Sequence, residues 1–326
     1  MTGASDGARP PATTALPGPL EAIANRPRLA ALLGAMCIAF SGIFYRWAEV
    51  TPTTGTVFRC LFGLPVLVAV AYLERRRFGP LPTRTIALAL VAGVFFAGDL
   101  TTWHHAIEYV GAGLATVLGN LQVLVVGLVA WALFGERPTR SVLLALPIVL
   151  AGVALIAGLG GDAYGSNPVL GVVLGVGTAL CYAGYLIVIR HGGADLRRPA
   201  GLVAVATAST AASAAIFGLL TADLDLLPAP ASLGWLALLG LTSQSAGYLL
   251  ISISLPRLPA VLTSMILLSQ PVATVGLSMV LLGEAPSPTQ LAGVGLVVGG
   301  IAVATLGGRP AARRLARSRV TAAREP

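Results

Sequence analysis

Between residues 29 and 307 the sequence is a succession of apolar runs, parted by short corners of Pro, Gly and charge. Each run is near the ~20 residues that cross the hydrocarbon core of a bilayer. They fall at about 29–47, 53–73, 84–107, 111–133, 139–159, 167–189, 200–220, 232–254, 260–282 and 288–307. In lipid, a run of this kind has to pair its own backbone N–H and C=O groups, which makes each one a helix. Charged residues are 10% of the chain and the mean hydropathy is +0.85. A soluble domain carries about a quarter charged residues, so the predicted fold is all-α and integral to the membrane, with ten transmembrane helices. None of the corners is long enough to hold a soluble domain. The seventh run is rich in Ala, Ser and Thr, and the eighth carries Gln244 among serines. Both are soft for lipid and are expected to face protein or a cavity.

The runs form two copies of one unit. Gly111 to Gly152 reads GAGLATVLGNLQVLVVGLVAWALFGERPTRSVLLALPIVLAG, and Pro259 to Gly300 reads PAVLTSMILLSQPVATVGLSMVLLGEAPSPTQLAGVGLVVGG. Laid over each other without a gap, Gln122 falls on Gln270. Gly135, Glu136 and Pro138 fall on Gly283, Glu284 and Pro286, and Gly152 falls on Gly300. Five helices per half, an odd number, turn the second copy upside down. The expected organisation is a first repeat at 29–160 and a second, inverted repeat at 161–307. Residues 1–28, rich in Pro, Ala, Gly and Thr, are expected to be a disordered tail, and 308–326 a basic one. Residues 1–28 hold no short apolar core with a cleavage site, so the first span is expected to be its own insertion signal.

The net charge is +8, and all 21 basic residues are Arg. With both termini on the cytoplasmic side, the tails and the corners at 74–84, 134–140, 190–199 and 255–259 hold every Arg except Arg46 and Arg59. The opposite corners hold Glu49, Glu108, Asp162, Asp223, Asp225 and Glu284. This asymmetry predicts a multi-pass protein of the inner (plasma) membrane with cytoplasmic N- and C-termini. It also argues against nucleic acid as the partner of the positive charge. The expected partner is the lipid bilayer: the basic corners read first as setting orientation alone, and the C-terminal tail is the best candidate for contact with anionic headgroups. Cys37, Cys60 and Cys181 lie inside apolar runs without metal spacing and read as small buried hydrophobes.

Ionisable groups inside hydrocarbon are costly, about 2.5–3.5 kcal/mol each on insertion scales, and so are candidates for function. By helical rise, Arg59 lies ~9 Å and Asp99 ~12 Å below the same surface. They can form a structural ion pair, or face a cavity and bind a charged solute or a proton. Trp103 shares a helix face with Asp99, while His104 and His105 point to different sides of it. Asp99 with His105 is the candidate pair for proton coupling, and plain placement of the histidines near the outer surface is the simpler reading. Asn120, Gln122, Gln244 and Gln270 fall near the middle of the bilayer, where amides either bond neighbouring helices or line a polar cavity. Tyr45, Tyr182, Tyr185, Tyr248 and Trp103 are candidates for stacking on a solute or for packing. No further ligands at helical spacing make a metal site, and no cofactor motif is present. The predicted cavity set is Arg59, Asp99, Trp103, Asn120, Gln122, Gln244, Tyr248 and Gln270. Catalytic residues are not expected.

The chain resembles the drug/metabolite transporter superfamily, in its EamA-type ten-helix members. The resemblance is carried by Ala112 and Leu114 before the fourth span and Ala260 and Leu262 before the ninth. It is carried further by Gln122 and Gln270, the two G-E-x-P corners, SQPVATVGLSMVLLGE with Pro271, and Arg59 in VFRCLFGLP. It departs from the family at Val123, where the first repeat usually has proline. It implies a secondary transporter, not an enzyme, working by alternating access. The solute would be a small polar or amphipathic metabolite, amino-acid-like or drug-like, with export the expected direction. An intramembrane enzyme would need a catalytic constellation that this sequence lacks. A sensor or structural membrane protein would usually carry a soluble output domain. Whether the chain is a monomer or a homodimer is left open by the sequence.

Overall fold

The computed structural model describes residues 25–135, 138–191, 198–254 and 257–307. Residues 1–24 and 308–326 of the two predicted tails, and Glu136 of the first G-E-x-P corner, lie outside them; the first predicted tail is a little too long, since the first helix already begins at Pro27. The described residues form ten helical elements: α1 Pro27–Ala48, α2 Pro52–Phe78, α3 Thr83–Gly119, α4 Gln122–Phe134, α5 Arg140–Ile156, α6 Pro168–His191, α7 Pro199–Thr221, α8 Pro230–Ser254, α9 Ala260–Leu281 and α10 Pro288–Gly307. Seven spans are long and apolar enough to cross a membrane, and three shorter apolar helices accompany them. α1, α2, α6, α7, α8 and α10 begin on Pro, which has no N–H to leave unpaired in a first turn.

The helices pack as an inverted pair of halves. α2 packs on α7, α5 on α10, and the first turns of the fourth span on α9. α6 packs on α3 as α1 packs on α8. Exchanging the halves turns each of these contacts into itself or into another of the set, as a twofold axis in the membrane plane requires. The α5–α10 seam shows this at atomic scale. A Cβ on Gly152 would stand 2.7 Å from the Gly293 carbonyl oxygen, and one on Gly293 2.6 Å from that of Gly152. Gly300, the counterpart of Gly152, lies in the same way against Val149 and Ala145. The two G-E corners also start alike, with Gly135 at φ 69° and Gly283 at φ 67°, the left-handed turn that ends a helix.

Side-chain carboxylates join the halves at helix ends. Glu74, near the end of α2, accepts the N–H groups of Ala200 (3.1 Å) and Gly201 (2.8 Å) at the start of α7. Asp223, just past α7, accepts the N–H (3.0 Å) and the hydroxyl (2.5 Å) of Thr53 at the start of α2. The α2–α7 pair is thereby fastened at both ends.

Three spans differ from the uninterrupted helices expected, the first being parted at Phe40 into Pro27–Ala39 and Ser41–Ala48. The fourth begins inside α3: two helices meet at Gly111, whose φ of 85° lets the chain turn, and a second break follows at Asn120–Leu121 before α4. That break needs no proline, since the Asn120 amide donates to Thr116 O (2.8 Å) and draws off a helical acceptor. The eighth contains a π-helical stretch, Gly240–Gly247. There Ser243 donates to Cys37 O (2.7 Å) and Ser245 to Gly63 O (3.0 Å). Ser243, Gln244 and Ser245 of this stretch are buried against protein.

Candidate functional site

The face of the molecule where α1 begins carries Arg75, Arg76, Arg77, Arg84, Arg198 and Arg257 at helix ends and is called here the basic face. The opposite, acidic face carries Glu49, Glu108, Asp162, Asp223, Asp225 and Glu284. A cavity of about 510 Å³ runs from the middle of the helix bundle toward the basic face. Its inner end is lined by Arg59, Asp99, Trp103, Ser41, Thr116 and Thr178. Asn120, Gln122 and Gln270 line its middle, and Ile189, Arg198, Pro199 and Thr305 its outer part. Both halves contribute to this wall, and the repeated pair Gln122 and Gln270 is on it.

Arg59 is 2% exposed and Asp99 7%, yet no ion pair within 4.0 Å joins them among the described residues. The Arg59 guanidinium lies over the Trp103 ring, 5.9 Å from its centroid, in cation–π contact. Its Nε and Nη1 have no protein hydrogen-bond partner. The site therefore holds a buried cation and a buried acid that do not consume each other. Beside them is an aromatic wall. Tyr182 stacks on Tyr185 (5.5 Å), Phe96 on Tyr185 (4.9 Å), and Tyr248 meets Phe96 edge-on (5.5 Å). Tyr182, Tyr185 and Tyr248 all line the cavity. Such a hollow can receive a small molecule bearing charges of both signs and an apolar or aromatic body.

Seven of the eight residues expected in a cavity line this one: Arg59, Asp99, Trp103, Asn120, Gln122, Tyr248 and Gln270. Gln244 stands outside its lining. It is fully buried in the π-helical stretch, donates to the Thr207 hydroxyl (3.1 Å) and fills the space left by the missing side chain of Gly63. His105 is also elsewhere. Six residues beyond Asp99 it points about 240° around the helix, and its Nε2 lies 3.7 Å from Asp223 Oδ2 at the acidic face. His104 is buried against Tyr45 (4.1 Å between rings) and bonded to Thr56 (2.8 Å), a packing role. Ser41, Thr116 and Thr178 were not expected. Single hydroxyls in apolar helices carry no pattern that separates a cavity wall from a backbone hydrogen bond. Among the described residues, no three His, Cys, Asp or Glu side chains group as metal ligands.

The acidic face is drawn together above this site. Glu284 accepts the N–H groups of Ala112 (2.6 Å) and Gly113 (3.2 Å). Arg46 and Glu108 form an exposed ion pair at 3.0 Å. Trp47 and Trp235 pack with ring centroids 4.8 Å apart.

The EamA-like transporter family profile matches this chain twice, at residues 26–158 and 169–306. The uncharacterized transporter YwfM of Bacillus subtilis (strain 168) is 24% identical over 266 residues, covering 78% of this chain and 84% of that protein. A protein solved by crystallography superposes with a TM-score of 0.60 at 22% identity, over 86% of this chain and 98% of the other, a likeness of fold.

Proposed function

Because the chain belongs to the EamA-like transporter family, we propose that this membrane transporter moves a small zwitterionic, amino-acid-like solute with an apolar or aromatic body. The observation that carries this reading is the separation of Arg59 from Asp99 within one cavity. A carboxylate on the solute would meet the unpartnered Arg59 nitrogens, and an ammonium would meet Asp99. Tyr182, Tyr185 and Tyr248 would cover the rest. Gln122 and Gln270 take matching positions on the two halves, so exchange of the halves' conformations would present the same amides to either side.

The excess of Arg supports a basic face in the cytoplasm of a cell with both termini inside, and the plasma membrane as the location. The cavity then loads from the cytoplasm, which favours export. Asp99 is also the group that would carry a proton in exchange, as the acid at the inner end of the cavity. The functional units are the five-helix halves 29–160 and 161–307.

The test is a melting screen of the purified full chain in detergent. The probes are zwitterionic amino acids, the matching amines without the carboxylate, and the matching acids without the amine. A ligand at about 100 times its Kd stabilises the folded state by about 2.7 kcal/mol. Zwitterions with aromatic side chains are expected to raise the melting point most. The reading is overturned if amines or acids alone do as well, or if no probe shifts the melt and none enters proteoliposomes.

A further inference from the structure

The carboxylate of Glu284 occupies a place that neither the cavity nor the chemistry of a bound solute explains. It follows α9 at the acidic face and is 5% exposed. It grips the first turn of the fourth span through two backbone donors, Ala112 N–H at 2.6 Å and Gly113 N–H at 3.2 Å. The turn is shaped to receive it. Gly111 has φ 85°, and a Cβ there would stand 2.6 Å from the Glu284 carboxyl carbon. Gly113 lets the two helices close: a Cβ on it would fall 2.6 Å from Ser278 Oγ and 3.0 Å from Val275 Cα on α9. A carboxylate on two free N–H groups at a helix start combines charge-assisted hydrogen bonding with the favourable end of the helix dipole.

The two helices joined in this way are also walls of the cavity. Asn120, Gln122 and Val123 come from the fourth span, and Leu267, Leu268 and Gln270 from α9. Where Glu284 holds them, at the acidic face, they touch. Toward the basic face the cavity lies between them. Among the described residues, the α2–α7 pair is fastened at both of its ends, by Glu74 and Asp223, whereas the fourth span and α9 are fastened by Glu284 at the closed end of the cavity and parted by the cavity beyond it.

We propose that Glu284 is the latch of the acidic face: bound to Ala112 and Gly113 it holds the cavity open to the basic face only, and its release lets the fourth and ninth spans part so that Arg59 and Asp99 face the other side. This rests on the reading of the chain as an alternating-access carrier. The latch is a carboxylate on backbone donors, so it works for any solute and sets the resting orientation rather than the specificity.

The experiment uses Asn120→Cys as a reporter in the cavity, with Cys37, Cys60 and Cys181 replaced by Ala. An impermeant charged maleimide is applied to right-side-out and to inside-out vesicles, and the ratio of labelling from the two sides is read. Glu284→Gln and, by a separate route, Gly111→Ala remove the grip, and Asp162→Asn removes a charge from the same face without touching it. Loss of a charge-assisted bond predicts a rise in acidic-face labelling of roughly tenfold or more in Glu284→Gln. Gly111→Ala is expected to move the ratio in the same direction, and Asp162→Asn to leave it alone. An unchanged ratio in Glu284→Gln protein with a normal melt overturns the latch. If that variant does not fold, an unchanged ratio in Gly111→Ala does so in its place. The melting screen on the Glu284→Gln and Gly111→Ala proteins with Asn120 kept separates the two readings. A shifted ratio with no binding of the zwitterionic probes keeps the latch and removes the zwitterion as the solute, and solute binding with an unchanged ratio removes the latch alone.

Discussion

An arginine and an aspartate buried in one hollow without touching leave two charges for something else to answer. Each therefore has its own signature. Arg59→Gln is expected to weaken carboxylate-bearing solutes by about 10–100-fold while sparing amines, the usual worth of a hydrogen bond to a charged group. Asp99→Asn is expected to do the reverse, measured as ligand-dependent melting shifts for the two probe classes. A proton role adds a third readout. Asp99→Asn removes the titrating group, so flux in proteoliposomes becomes independent of pH; a profile like the unsubstituted protein's rejects the proton carrier. At this scale the sequence was informative where burial is unusual. Arg59, Asp99 and Trp103 stood out because ionisable and large amphipathic groups are costly in lipid. Gln244 stood out for the same reason and turned out to satisfy a helix contact, since an amide meets either need equally well. For His105 the sequence left two readings, a relay with Asp99 or a place near the outer surface, and its ring lies against Asp223 at the acidic face.

Among the elements, the α5–α10 seam makes the sharpest stability prediction. Gly152→Ala forces a methyl to within 2.7 Å of the Gly293 carbonyl oxygen, and the two backbones have to separate. The expected loss is about 1–3 kcal/mol, read from the melting midpoint in detergent. Gly299→Ala, on the same helix α10 but with nothing within 4 Å of the added atom, should be neutral or gain up to about 1 kcal/mol. Glu74→Gln should cost about 1–2 kcal/mol by weakening the cap on α7. The ten spans themselves were legible, because apolar length and Pro or Gly corners are local properties. The breaks at Gly111 and Asn120 and the π-helical stretch at Gly240–Gly247 were not. They are set by what the partner half supplies, and a linear pattern does not show the partner.

For the whole molecule, the doubling of the G-E-x-P corner was enough to imply an inverted pair, and the helix contacts have that symmetry. What the repeat could not reveal was that the halves are sewn together by carboxylates at helix ends, since Glu74, Asp223 and Glu284 read as surface charge in a sequence. The orientation is tested by single cysteines in a cysteine-free background. Asp162→Cys is expected to react from outside intact cells, and Arg84→Cys only after the membrane is opened.

The caps also fix an order of completion. Thr53 and Ala112 leave the ribosome long before the groups that satisfy them, because Asp223 comes 170 residues after the first and Glu284 172 after the second. The nascent first half thus waits in the bilayer with bare helix starts until the second half has followed it. A chain stopped at Leu281 should insert all its preceding spans and still be cleared by membrane proteases, its oldest part unfinished for want of its newest.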